Sequence, residues 1–170
     1  ICPCRIQNAC KWQTACYNAA MEQNSDSYSY NRAQAWQLYA DMLAGCPNGY
    51  ILVVSETSVS SDAKVALQKS FDALGYGSDA CTYLVTTHDM LSDHDLMAAV
   101  ESVDPAILIA ADRASADFLA SAYRCSVPSM TQLRVFGRRA LAFDSLDALM
   151  TTDDGHQKIW AALKTLPKIP

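Results

Sequence analysis

The chain has 170 residues, an apolar fraction of 51%, a charged fraction of 18% and a net charge of −5. These values argue against disorder and fit one globular domain. The acidic balance disfavours tight nucleic-acid binding, because such proteins use a basic surface to neutralise phosphates. No apolar run approaches the roughly 20 residues that span a bilayer, and no basic-then-apolar segment resembles a signal peptide. We therefore expect a cytoplasmic protein with no membrane partner.

The first part of the chain differs in character from the rest. Residues 1–30 hold four of the seven cysteines and end in a polar, turn-rich stretch. We expect them to form a Cys-rich N-terminal segment that packs on a single domain covering residues 31–170. In the first helix of that domain, apolar residues recur at helical spacing from Ala35 to Leu43, and Gly45 ends it.

Four short apolar runs then alternate with helix-like stretches. The runs are residues 50–55, 82–86, 106–110 and 139–143. Continuous runs rich in Val and Ile predict strands buried on both faces of a parallel sheet. Residues that can cap helices separate them, among them Ser92 with Asp95, and Asp112. Right-handed crossovers then predict an α/β fold, a three-layer α/β/α sandwich around a four-stranded parallel sheet.

The order and spacing of these segments resemble the uracil-DNA glycosylase superfamily, especially its bacterial iron–sulfur branch, over roughly residues 50–166. In that family the first strand ends in Gly-Glu-Ala-Pro-Gly, a later strand ends in Leu-Gly-Arg, and the last strand carries His-Pro-Ser. Residues 156–164 are similar to the family's terminal helix. The resemblance implies the strand order 2-1-3-4. In this chain, the three segments that follow the corresponding strands are Ser55-Glu56-Thr57-Ser58, Ala111-Asp112-Arg113 and Asp144-Ser145-Leu146.

These three segments differ from the family at the positions of its catalytic and base-binding residues. Glu56 is retained, but both glycines and the proline of the first loop are lost, and Asp144 stands where the family's His stabilises the departing uracil anion. Thr86 stands where an Asn reads the base edge, and the segment with a stacking Phe is shortened to residues 58–62. A leaving oxyanion needs a donor or a positive charge, and base extrusion is offset by stacking and edge hydrogen bonds. The resemblance therefore implies a divergent member without glycosylase activity.

The N-terminal cysteines are candidate metal ligands. The family holds an iron–sulfur cluster with two cysteines near the start and two past the second strand, and no pair stands at that second position here. A local four-thiolate site for zinc or an iron–sulfur cluster is one interpretation. Because the spacing fits no standard ligand pattern, reduced cysteines on a helix and an entry loop are the preferred interpretation. The candidate ligands are Cys2, Cys4, Cys10 and Cys16.

The candidate site consists of residues at the carboxyl ends of the strands, where parallel sheets bind ligands. Glu56 could orient a water, Asp144 could act as a base, and His88 lies at the same edge. Each has a structural alternative: a solvated carboxylate for Glu56, a helix cap for Asp144 and a commonplace loop pair with Asp89 for His88. The candidate ligand-binding residues are Ser55, Thr57, Ser58, Thr86, Asp112 and Ser145.

One basic cluster interrupts the acidic chain. Arg134, Arg138 and Arg139 fall on a hairpin-like loop beside the last predicted strand. They could contact phosphate or serve to solubilise that loop.

The sequence leaves three functional hypotheses open. The first is a non-catalytic, glycosylase-like protein that binds a nucleotide, a nucleic acid or a protein partner at the strand-end crevice. The second is an enzyme of altered, hydrolase-like chemistry that uses Glu56, Asp144 and His88 on a small substrate. The third is an unrelated flavodoxin-like binding or regulatory module. Strand order separates them, since a five-stranded sheet would favour the flavodoxin-like class.

Overall fold

The computed structural model describes residues 32–87 and 91–167, and within them the protein is an α/β fold with a mixed six-stranded sheet and six helices. The expectations for residues 1–30 and for His88 lie outside the described residues. The strands are β1 (Leu43–Gly45), β2 (Ile51–Ser55), β3 (Cys81–Val85), β4 (Ile107–Ala110), β5 (Leu133–Val135) and β6 (Arg138–Ala142). The helices are α1 (residues 32–38), α2 (Ser61–Ala73), α3 (Asp93–Val103), α4 (Arg113–Tyr123), α5 (Leu146–Leu149) and α6 (Asp153–Leu163).

The sheet has the order β1-β3-β2-β4-β6-β5. The four middle strands are parallel, and Val53 of β2 pairs with Tyr83 of β3 on one side and Ile109 of β4 on the other. The short outer strands β1 and β5 are antiparallel to their neighbours. The prediction of an α/β fold is confirmed. The sheet, however, is mixed and has six strands, whereas the sequence predicted four parallel ones.

Tertiary pairing explains why β1 was missed. The helical spacing predicted one helix as far as Gly45, but α1 is helical over residues 32–38 and the chain then turns into β1. Leu43 is buried against β3, while Leu38, expected on the same apolar face, is 78% exposed. Gly45 adopts φ +94°, and a Cβ there would lie 2.6 Å from the carbonyl oxygen of Cys81. Only glycine suits both that conformation and that approach.

Each middle strand is buried on both faces, which accounts for the continuous apolar runs. On β2, Ile51 and Val53 belong to one core cluster, whereas Leu52 and Val54 belong to the other. The first cluster includes residues of α2, α5 and α6, and the second includes residues of α3 and α4. None of the described helices has the length and hydropathy needed to cross a bilayer.

A half-buried charge network joins β6 to α3 and α4. The Arg138 guanidinium donates to both carboxylate oxygens of Glu101 at 2.6 and 2.8 Å, and to Asp104 at 2.9 Å. The Tyr123 hydroxyl donates to the same Glu101 carboxylate at 2.8 Å. Burial, and then the hydrogen bond to Glu101, raise the pKa of Tyr123 well above its usual range. Because Arg138 is only 14% exposed, its loss would leave the Glu101 carboxylate partly buried without its cation.

We expect Arg138→Ala to lower the free energy of unfolding by about 3 kcal/mol, since breaking a buried pair leaves an uncompensated charge. Urea denaturation followed by circular dichroism measures this loss. Arg113→Ala is the matched control, because Arg113 pairs with Asp117 at 3.0 Å with both side chains more than half exposed. Its expected loss is about 0.5 kcal/mol. Equal losses for the two variants would contradict a structural role for the network.

Candidate functional site at the strand ends

The parallel strands bring the predicted site residues to one edge of the sheet. Ser55 ends β2 and Glu56 follows it, while Thr86, Asp112 and Asp144 lie just beyond β3, β4 and β6. With Ser145, these residues form a row that we call the strand-end edge. Hydrogen bonds run along the row from one loop to the next. The structure thus brings these positions to one edge, although most of their polar groups are bonded to the protein itself.

At one end of the row, Thr86 and Ser55 are buried. The Thr86 amide donates to the Ser55 carbonyl at 2.7 Å, and the Thr86 hydroxyl donates to the same oxygen at 3.2 Å. Each residue is 1% exposed. The Ser55 hydroxyl is also buried, and it has no hydrogen-bond partner among the described residues. Thr86 thus joins two strand ends and does not present its hydroxyl to an incoming ligand.

The centre of the row is closed by the Asp112 carboxylate. One oxygen accepts the Ser115 amide at 2.7 Å and caps α4, as the sequence predicted. The other oxygen accepts the Glu56 amide at 2.8 Å, across the gap between β4 and β2. That gap is the topological switch point, because the connection from β2 leads to one side of the sheet and the connection from β4 leads to the other. Open α/β sheets bind ligands there, yet here the protein's own carboxylate occupies the backbone donors.

The last part of the row corrects a prediction about Asp144. The cap of α5 is Ser145, whose hydroxyl accepts the Ala148 amide at 3.2 Å, so the expectation that Asp144 caps this helix is wrong by one position. The carbonyl of Asp144 accepts the Arg113 amide at 3.0 Å, and its carboxylate lies on an exposed residue. Asp144 therefore adds negative charge to the surface of the row.

The first loop is tied down by a residue that sequence reasoning missed. Asp147 of α5 accepts the Ser60 hydroxyl at 2.6 Å and its amide at 3.3 Å, so it holds the residue that caps α2. No local pattern could have found this contact, since 87 residues separate the partners. Of the two predicted ligand-binding residues in this loop, Thr57 is exposed and Ser58 lies 3.2 Å from the Lys64 ammonium.

A second concavity lies between α3 and α4 and was not predicted. This cleft has a volume of about 590 Å³ and a mixed lining, in which the apolar side chains of Leu91 and Phe118 lie beside two serines and two carboxylates. Asp93 accepts the Ser121 hydroxyl at 2.6 Å, and Asp117 pairs with Arg113 at 3.0 Å. Both carboxylates are thus engaged by neighbouring side chains.

The metal prediction falls outside the described residues, because Cys2, Cys4, Cys10 and Cys16 all precede residue 32. Among residues 32–87 and 91–167, no group of three or more His, Cys, Asp or Glu side chains could hold a metal ion. The three cysteines in these ranges are free thiols. Cys81 is buried, and burial raises its pKa to about 12.

We expect Cys81 to resist alkylation by iodoacetamide from pH 7 to pH 10, because its folded pKa of about 12 keeps the thiol protonated. In denaturant it should react as an ordinary cysteine with a pKa of about 8.5. Peptide mapping by mass spectrometry measures the modified fraction, with the partly exposed Cys46 as the internal control. Equal modification of the two thiols in the folded protein at pH 8 would contradict the burial of Cys81.

We expect Asp112→Ala to lower the free energy of unfolding by about 2 kcal/mol, because it removes a helix cap and leaves the Glu56 amide without its acceptor. Thermal and urea denaturation measure the loss. Asp144→Ala removes the same charge from an exposed position and should change stability by about 0.5 kcal/mol or less. An equal effect of the two substitutions would contradict the closing role of Asp112.

Comparison with models of protein families, and separately with curated proteins, finds no match to this chain.

Proposed function

We propose that the chain is a non-catalytic, divergent relative of the glycosylase-like three-layer α/β/α class that binds a protein partner at the strand-end edge. The order of its parallel strands supports this class. Numbered along the chain, the four predicted strands lie in the order 2-1-3-4. The described sheet has six strands, which is neither the four of the glycosylase-like arrangement nor the five of the flavodoxin-like one, and the two additional strands are antiparallel edges.

The observation that carries the proposal is the Asp112 carboxylate at the switch point. A glycosylase must stabilise a departing base anion, which requires donors aimed at the place where charge develops. Here the Glu56 amide already donates to Asp112 at 2.8 Å. An anion about 4 Å from that carboxylate would be repelled by roughly 1–4 kcal/mol, depending on exposure. The negative charge at this edge therefore disfavours the base anion that uracil excision generates.

The same charges favour one ligand class over the others. Glu56, Asp112, Asp144 and Asp147 all lie at or beside the strand-end edge. A nucleotide or a nucleic acid would bring phosphates to these carboxylates, whereas a basic protein segment would bring opposite charge. Protein binding is thus the favoured member of the three ligand classes that the sequence left open.

A hydrolase-like enzyme is the second candidate, and one observation favours it. The Glu56 amide donates to the Asp112 carboxylate, and the Asp144 carbonyl accepts the amide of Arg113, the residue that follows Asp112. The two candidate catalytic residues therefore lie on either side of the start of α4. This closeness of their backbones supports an enzyme that acts on a small uncharged substrate.

We expect the full chain to release no uracil from single- or double-stranded DNA and to bind neither form at 50 mM salt. Fluorescence anisotropy should instead detect binding of a lysine-rich peptide, with affinity weakened severalfold by Asp144→Asn because a rim charge is lost. Asp72→Asn removes an exposed carboxylate in the last turn of α2 and is the matched control.

Uracil release that Glu56→Ala abolishes would overturn the non-catalytic assignment. Equal affinity of the Asp144→Asn and Asp72→Asn variants for the lysine-rich peptide would overturn the assignment of partner binding to this edge.

A further inference from the structure

The β5–β6 hairpin forms an outer edge of the sheet. Its two-residue turn, Phe136 and Gly137, has φ values of +47° and +87°. Two positive values define a type I′ turn, which suits the twist of the flanking strands. The turn lies where β6 begins, so it is at the amino ends of the parallel strands, opposite the strand-end edge. β5 is the last strand of the sheet among the described residues.

Two arginines face each other across this hairpin. Arg134 of β5 pairs in register with Arg139 of β6, so their side chains project from the same face of the sheet. Like charges directly opposite each other destabilise an antiparallel pair. Neither guanidinium forms a hydrogen bond or an ion pair with any described residue. Their neighbour Arg138 differs, since Glu101 and Asp104 satisfy it from the other face.

An exposed aromatic side chain stands at the tip of the same hairpin. Phe136 is 78% exposed and occupies the first turn position, where asparagine, aspartate or glycine is usual. A bulky residue at positive φ is uncommon and costs roughly 1 kcal/mol. Its ring centroid lies 6.1 Å from that of Tyr123, so one side of the ring contacts the protein while most of the ring faces solvent. The contact with Tyr123 covers only a small part of the ring, so an apolar surface is left exposed at the tip of the hairpin.

The backbone of β5 offers a third recognition element. In a two-residue hairpin the residues that flank the turn, Val135 and Arg138, exchange hydrogen bonds, and successive pairs alternate between bonded and non-bonded. The Arg134–Arg139 pair is therefore the non-bonded one. The amide and carbonyl of Arg134 point away from β6, toward the open edge, where an added strand could pair with them.

We infer that this hairpin is a docking edge for an acidic, extended segment of a partner protein. The segment adds a strand beside Arg134, a carboxylate on the same face of that strand pairs with Arg134 and with Arg139 behind it, and an apolar side chain contacts Phe136. Because Arg139 lies across the hairpin from Arg134, both guanidiniums face one position of the added strand. The carboxylates two residues before and after that position lie on the same face, about 7 Å away. A nucleic acid fits less well, because it has no strand to add and the chain carries a net charge of −5.

The test uses the full chain and a fluorescein-labelled eight-residue peptide of alternating glutamate and valine, followed by fluorescence anisotropy at 50 mM salt. Wild type should bind the peptide, and Arg134→Glu should weaken binding about tenfold or more. The matched control is Lys69→Glu, which changes the net charge equally at an exposed site on α2 and should alter binding less than twofold. Strand pairing is tested with two further peptides, one N-methylated at the odd positions and the other at the even positions. Because N-methylation removes the backbone donors that would pair with β5, at least one of the two should lose binding.

Stability provides an independent readout. In Arg134→Glu the new carboxylate faces Arg139, so the variant should be at least as stable as wild type in urea even though it binds less peptide. An octamer of deoxythymidine should bind more weakly than the peptide. The inference is overturned by absence of peptide binding, by equal effects of Arg134→Glu and Lys69→Glu, by full binding of both N-methylated forms, or by tighter binding of the oligonucleotide. These measurements do not use uracil release or the lysine-rich peptide, so failure of this inference can be told apart from failure of the proposed function.

Discussion

The carboxylate of Asp112 is the constraint on which the candidate site depends. It accepts the Ser115 amide at 2.7 Å and the Glu56 amide at 2.8 Å, so one side chain both starts α4 and ties the loop after β2 to the loop after β4. An open switch point would leave such backbone donors available to a ligand. Here they are bonded internally, and a negative charge stands at the place where an anion would bind. The parallel strands therefore meet at a centre whose backbone donors are already bonded to the protein's own carboxylate.

The two ends of the sheet near β6 carry opposite charge. Glu56, Asp112, Asp144 and Asp147 gather at the carboxyl ends of the strands, while Arg134 and Arg139 lie on the hairpin at the other end without an ionic partner among the described residues. At the hairpin itself, the half-buried pair of Arg138 and Glu101 ties the start of β6 to α3.

Much of the fold could be predicted from the sequence, because burial on both faces leaves continuous apolar runs such as residues 50–55. Helix caps could also be predicted from local sequence, and the structure confirms Ser92 with Asp95, and Asp112, as caps. The short edge strands β1 and β5 were missed because pairing with a neighbour, and not local periodicity, makes them strands.

The candidate site was predictable only in part. The positions at the strand ends followed from the parallel topology, but the state of their polar groups did not. The bond between Asp112 and Glu56 joins residues 56 positions apart, and the contact between Asp147 and Ser60 spans 87. A sequence pattern indicates which groups could bind a ligand, whereas only the folded chain shows which of them are already bonded to each other.

The most direct test of the closed centre follows the backbone amide of Glu56 by ¹H–¹⁵N NMR while uracil, and separately inorganic phosphate, is added to the folded chain. If Asp112 already holds this amide, its resonance should stay in place through millimolar concentrations of either ligand. A saturable shift of the Glu56 and Ser115 amides together would mean that the ligand displaces the carboxylate, and it would contradict a switch point closed by Asp112.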